Sequence, residues 1–187
     1  MKRVFFDLET LGRGPDALIM SCGISTLSDQ PGISGHSIVC TELFPSIGQQ
    51  IAKGRRIEYE TVKWWVTENP PSYPFEVGDD KRLLLNAFCS KLLSYTNGAD
   101  EICSNSPSFD LAIIRNLFDS CGFSEPWPFW KEEDFRTIKK WNRSEYEKFK
   151  ALFYAEAKGN TRHVPHSALF DVEFMAEFVA SLERKAL

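Results

Sequence analysis

The chain has 187 residues, 43% of them apolar and 26% charged, with a formal net charge of −4. That is enough chain for one compact domain with a sizeable core, and the composition excludes an extended disordered polymer. The acidic balance also excludes a broadly basic protein that coats duplexes, so any nucleic-acid contact must use local cationic patches or bound metal ions. In chain order, residues 2–8, 17–27 and 36–43 read as strands, with Pro31-Gly32 in the second turn, and short turns between them predict an antiparallel meander. Residues 57–69 have helical character and stop at Pro70-Pro71. Residues 80–95 form a stronger helix, with Leu84, Leu85, Phe88, Leu92 and Tyr95 apolar, ended by Asn97-Gly98. A short strand at 101–105 and a helix at 109–122 follow. SEPWPFW reads as a loop, residues 133–141 are ambiguous, and helices near 144–157 and 168–185 flank a loop around Gly159. This order predicts a single α/β domain over 1–187, built on a mixed sheet flanked by helices.

Cys22, Cys40, Cys89, Cys103 and Cys121 are odd in number and form no CxxC pair, which predicts reduced thiols in a cytoplasmic protein. Acids interrupt the N-terminal apolar run at once, so no signal peptide is expected. No apolar run nears the ~20 residues of a membrane span, so no membrane contact is expected.

The stretch FFDLET places Asp7 and Glu9 two residues apart on a strand, hence on one face, while Val4, Phe6 and Leu8 point the other way into a core. A half-exposed strand with solvated acids would explain the pattern, but two neighbouring carboxylates repel, and a bound Mg²⁺ or Mn²⁺ would remove that cost. Asp110 heads the apolar stripe of its helix, with Ile113, Ile114, Leu117 and Cys121 within about 60° of it at 100° per residue. Asp171 repeats this, with Met175, Phe178 and Leu182 on its side. Capping accounts for either aspartate singly. Two inward-facing acids together with Asp7 and Glu9 point instead to one shared metal site, because a buried unpaired carboxylate is expensive. His166 lies five residues before Asp171 and would diverge from it by about 140° on one helix, so it is expected in the preceding loop, free to act as a general base. His163 is the alternative histidine.

DLET, NSPSFD and HSALFDV resemble, in order and in H-x4-D spacing, the three motifs of the DEDDh 3′–5′ exonucleases, which have an RNase H-like fold. DLETLGRGPDALIMSCGIS, TVKWW and DFRTI are also similar to the exonuclease VIII and phage exonuclease A branch, which includes exoribonuclease-like members. The likeness covers roughly residues 3–182. It implies hydrolysis of single-stranded RNA or DNA from a 3′ end to nucleoside 5′-monophosphates, with two divalent ions, Mg²⁺ or Mn²⁺, roughly 4 Å apart on the scissile phosphate. Asp7 would bridge both ions. Glu9 and Asp171 would complete one site, and Asp110 would help from the far side through water. His166 would take the proton of the attacking water. Thr10 and Leu11 match positions that hold the terminal nucleotide, through backbone N–H groups and an apolar wedge. Ser167 stands where Asn, Asp or Arg is commoner, and GRGPDA inserts a loop beside the metal-bearing end.

Asn105, just after a strand, is a candidate substrate contact or a turn residue. Trp64 and Trp65 cannot both face the core on one helix turn, so at least one, Trp64 being the candidate, either edges the cleft and stacks on a base or serves as an aromatic core anchor. Arg13, Lys63, Arg136, Lys139 and Arg162 are candidate phosphate contacts, Asp134 is left structural, and the segment 141–162 either covers the site or pads the sheet. PWPFW serves as core or as an interface, a homodimer being among the expected assemblies. Two rival functions are a nucleic-acid-binding module that lost catalysis and an RNase H-like endonuclease. The intact acid set argues against the first and the histidine spacing against the second.

Overall fold

The computed structural model describes residues 1–29, 36–68, 74–157 and 166–186. Pro31-Gly32, Pro70-Pro71, Gly159, Arg162 and His163 lie outside the described residues. Strand β1 (Lys2–Thr10) is the third strand of a five-stranded sheet ordered β3-β2-β1-β4-β5. Strands β2 (Ile19–Asp29) and β3 (His36–Leu43) pair antiparallel as the expected meander, whereas β4 (Glu101–Ser104) and β5 (Glu132–Asp134) run parallel to β1.

The two sides of β1 enter two different cores. Val4, Phe6 and Leu8 pack with Phe88, Leu92, Ile113, Ile114 and Leu117 of helices α3 (Leu85–Thr96) and α4 (Asp110–Ser120). Phe5, on the opposite face, packs with Val172, Met175 and Phe178 of α7 (Ala168–Ala186) and with Phe135 of α5 (Phe135–Trp141). The reading of Asp7 and Glu9 as solvated acids on a half-exposed strand therefore fails, because their face lies under α7 and Glu9 is only 9% exposed. Helix α6 (Arg143–Ala157) packs its Phe149 and Phe153 rings on Phe174 of α7.

Helix α7 can lie this close because β2 offers it small residues. Ser21, Gly23 and Ser25 stand opposite Glu9, Asp7 and Phe5, so they share the α7 face. A Cβ on Gly23 would sit 2.0 Å from the Ala168 carbonyl oxygen, so only glycine admits the first turn of α7 here.

Two elements were not anticipated. Helix α1 (Ile47–Ala52) is short, but its Gln50 is fully buried and bonds both backbone groups of Ile19, at 2.8 Å each, like a surrogate strand. Strand β5 has the sequence EED, and it is extended because the free edge of β4 pairs with it. Within the Trp-rich loop, Trp127 is core and stacks on Phe6, while Phe129 and Trp130 are exposed. Among the described residues no helix is long and apolar enough to cross a membrane, and all five cysteines are free thiols.

Candidate active site

The carboxylates converge where β1 ends. The register between β1 and β2 slips between Glu9 and Thr10, a bulge at the point where the strand leaves the sheet. Asp171 sits in the first turn of α7, three residues after Ala168 contacts Gly23, and so hangs over β1. Asp7, Glu9 and Asp171 each bring one oxygen to a common set within 4.8 Å. Asp110 reaches the same place from the other side. Strand β4 stops at Ser104, beside Phe6, and the Leu8 N–H beyond it donates instead to Asp110 Oδ1 at 3.3 Å. Asp110 is thus held by the edge of β1 as well as by its own helix, and it lines the cleft beside Asp7 and Glu9.

The electrostatics are those of a site short of positive charge. Burial, followed by repulsion from Asp110, Asp171 and Glu9, pushes the Asp7 carboxyl well up. Glu9 is raised by burial and then by Asp171. Burial raises Asp110 to about 7 against hydrogen bonds that lower it. It raises Asp171 to about 6, with His166 pulling the other way. Ser21 Oγ, across from Glu9, is buried with no hydrogen-bond partner among the described residues. Hard carboxylate oxygens at this spacing, with uncompensated charge, fit divalent cations.

His166 is outside the helix, as its spacing predicted. Its φ of 62° is left-handed, and the residue lines the acid-bearing cleft just before α7 begins. The ring meets Trp64 edge-on, centroids 5.3 Å apart. Trp64 and Trp65, on α2 (Tyr59–Thr67), divide their labour. Trp65 is buried and donates from Nε1 to the Thr10 carbonyl at 3.0 Å. Trp64 is 39% exposed and lines the cleft.

Two clefts meet at Leu8, Glu9 and Phe109. One, of about 370 Å³, holds the acids and His166 and is walled by α5 and α6. The other, of about 410 Å³, is lined by Thr10, Gly12, Arg13, Thr61, Trp64 and Trp65 among others. Thr10 is buried, with its hydroxyl on the Gly12 carbonyl. The Leu11 side chain packs with Leu18, Met20 and Trp65, and the second cleft takes its apolar lining from Leu8, Trp64, Trp65 and Phe109. Asn105 lines the first cleft, its Oδ1 accepting from Lys139 Nζ at 2.9 Å. Arg136 and Lys139 also line it, Arg13 lines the second, and Lys63 lines neither. Asp134 caps α5 through the Arg136 N–H.

The sequence reading missed Phe109, Tyr146, Lys150 and Tyr154 as cleft residues. The last three repeat every four positions on α6, a signal that periodicity alone could have raised. It also missed Gly23, whose need appears only once α7 is in place.

A family model described as the 3′-5′ exoribonuclease Rv2179c-like domain matches residues 2–182. No curated protein matches the chain. Among solved structures, the fold is similar to the nuclease domain of 3′hExo, a DEDDh family member bound to rAMP, at a TM-score of 0.52 and 11% identity, covering 98% of this chain and 92% of that one. At that identity the likeness speaks for the RNase H-like fold. With the family match over nearly the whole chain, the protein belongs to the Rv2179c-like 3′-5′ exoribonuclease domain family and is a DEDDh-type 3′-5′ exonuclease.

Proposed function

We propose that residues 1–187 act as one exonuclease domain that removes nucleoside 5′-monophosphates from the 3′ end of single-stranded RNA. The observation that carries this is the convergence of Asp7, Glu9 and Asp171 within 4.8 Å, under a histidine and beside a nucleotide-sized cleft. The family description and the rAMP held by the structural neighbour favour RNA over DNA.

The terminal nucleotide enters the cleft of Thr10, Trp64 and Phe109, and the scissile phosphate lies over Asp7. Mg²⁺ or Mn²⁺, two ions held by Asp7, Glu9 and Asp171 with Asp110 behind, would supply the charge that polarises the attacking water and stabilises the leaving 3′ oxygen. His166 Nδ1 or Nε2 accepts the water proton. The Leu8–Asp110 bond keeps that carboxylate aimed at the cluster. Buried Trp65 holds the strand end through Thr10, and Trp64 braces His166.

The test uses matched RNA and DNA single strands labelled at the 5′ end, incubated with Mg²⁺ or Mn²⁺ and with EDTA as control. A ladder shortening from the 3′ end, faster on RNA and lost in EDTA, is expected. Cleavage of a circular strand would point instead to an endonuclease, and tight binding without cleavage to a binding module.

A further inference from the structure

All four aromatic rings of helix α6 pack on α7, Tyr146 and Tyr154 meeting Phe174 with centroids 5.7 and 6.0 Å away, but only the two tyrosines also line the cleft. Phe149 and Phe153 turn to α7 and pack on Phe174, with centroids 5.6 and 5.2 Å away. Tyr146, Lys150 and Tyr154, spaced by four, fall within about 80° on the helix, and all three line the acid-bearing cleft. Lys150 is exposed, its Nζ 5.9 Å from the Tyr154 ring. From α5, Lys139 Nζ lies 5.7 Å from the Tyr146 ring and 5.8 Å from Phe135, and bonds Asn105. That bond occupies the Asn105 oxygen and leaves its amide N–H groups as donors. One wall of the cleft therefore alternates cation and aromatic ring, in a chain whose net charge is −4 and whose cleft floor is acidic.

An acidic floor suits metal ions, while a polyanion needs its own cations. Alternating rings and cations match a single strand, where bases or sugars lie on rings and phosphates on Lys or Arg. We propose that this wall is the track for the strand segment on the 5′ side of the scissile phosphate. Lys139 and Lys150 contact successive phosphates there, and Tyr146 and Tyr154 contact the sugars or bases between them. The proposal rests on the exonuclease reading and adds to it. The enzyme is built to favour oligonucleotides over dinucleotides, because a dinucleotide leaves the track empty.

Two measurements on the full chain test this, with Lys150→Ala as the variant, since an exposed lysine can be lost without disturbing the core. The first is binding of a fluorescent RNA strand of about twelve nucleotides to an Asp7→Ala background, over roughly 50 to 200 mM salt. Adding Lys150→Ala should weaken binding about threefold to tenfold and reduce the log–log salt slope by about 0.7, the share of one phosphate contact on a single strand. The second is kcat/KM on the long strand against a dinucleotide, with Asp7 intact, where Lys150→Ala should shrink the ratio by a similar factor. An unaltered slope together with an unaltered ratio overturns the track. If no strand of any length is cleaved, the exonuclease reading fails, and the salt slope still judges the track by itself.

Discussion

Both ends of β1 gather three groups able to hold a metal, but they handle charge in opposite ways. At its start, Asp29, His36 and Glu183 approach one another within 4.8 Å. Cations surround them. The Met1 amine lies 2.5 Å from Asp29, Arg3 Nη1 is 2.9 Å from Glu183 and its Nε bonds Glu101, and His36 stands between the two acids at 3.2 and 3.4 Å. At its end, Asp7, Glu9 and Asp171 are just as close, and no ion pair with a described cation relieves them. The acids behave accordingly. Asp29 is held below the usual carboxylate range by its hydrogen bond to the amine, whereas burial raises all the acids of the cleft and like charge adds to it at Asp7 and Glu9. Proximity alone does not tell the two clusters apart, and it is the missing counter-charge that makes the cleft the candidate metal site.

The comparison can be broken most sharply at Asp7. Asp7→Ala should abolish hydrolysis while leaving the fold intact. Because it also removes one of the mutually repelling acids, it should raise the melting temperature of the metal-free protein and cancel the stabilisation that Mn²⁺ gives the wild type. A variant that is fully active, or that melts lower without metal, would undo the contrast.

Next in size is His166→Ala, expected to slow turnover by ~10² to 10⁴, the usual worth of a general base. A larger loss from His163→Ala would move the base from His166 to His163.

Gly23→Ala probes how the acids are brought together. Its methyl group must push the start of α7 off β2 and carry Asp171 with it. An activity loss of about 10- to 100-fold is expected, in line with the cost of misplacing a reacting group by about 1 Å. A weaker Mn²⁺-induced rise in melting temperature should accompany it. Titrating the melting temperature with Mn²⁺ separates this from a general loss of stability, which would leave the metal response intact.

At the paired end the sign reverses. Arg3→Ala leaves Glu101 and Glu183 without their main partner and should lower stability by about 1–3 kcal/mol in urea, with or without metal. Activity should be little changed.

The smallest effect is the pH dependence. An acid whose folded pKa is raised still holds a proton that the unfolded chain has released. Stability of the metal-free protein should therefore fall as pH rises from about 4 through the values near 6 for Asp171 and near 7 for Asp110. Saturating Mg²⁺ should flatten or reverse that slope, because metal binding improves as the acids ionise. Melts at pH 5 and pH 8, with and without EDTA, read both.

Much of this was open to inference from local pattern. Alternation along β1 gave the face shared by Asp7 and Glu9, and the stripes behind Asp110 and Asp171 predicted that both point inward, as they do. The H-x4-D spacing put His166 off the helix, where its left-handed backbone now holds it. These features have periods of two or 3.6 residues, so a few neighbours suffice to specify them.

Other features had no local cause. Strand β5 is three acids with no strand preference, extended because β4 offered a free edge. Leu11 joined a core with Trp65 because α2 brought that ring to it. The need for glycine at position 23 arises from a helix about 145 residues away in sequence. Which cluster of acids is paired and which is left without counter-charge depends on Arg3 meeting Glu183 across almost the whole chain. The sequence by itself determined four of the five strands, the main helices and the identity of the acids, since those are set by short-range periodicity and motif. Tertiary structure decided the cleft walls and the balance of charge, because both arise only where distant segments cross.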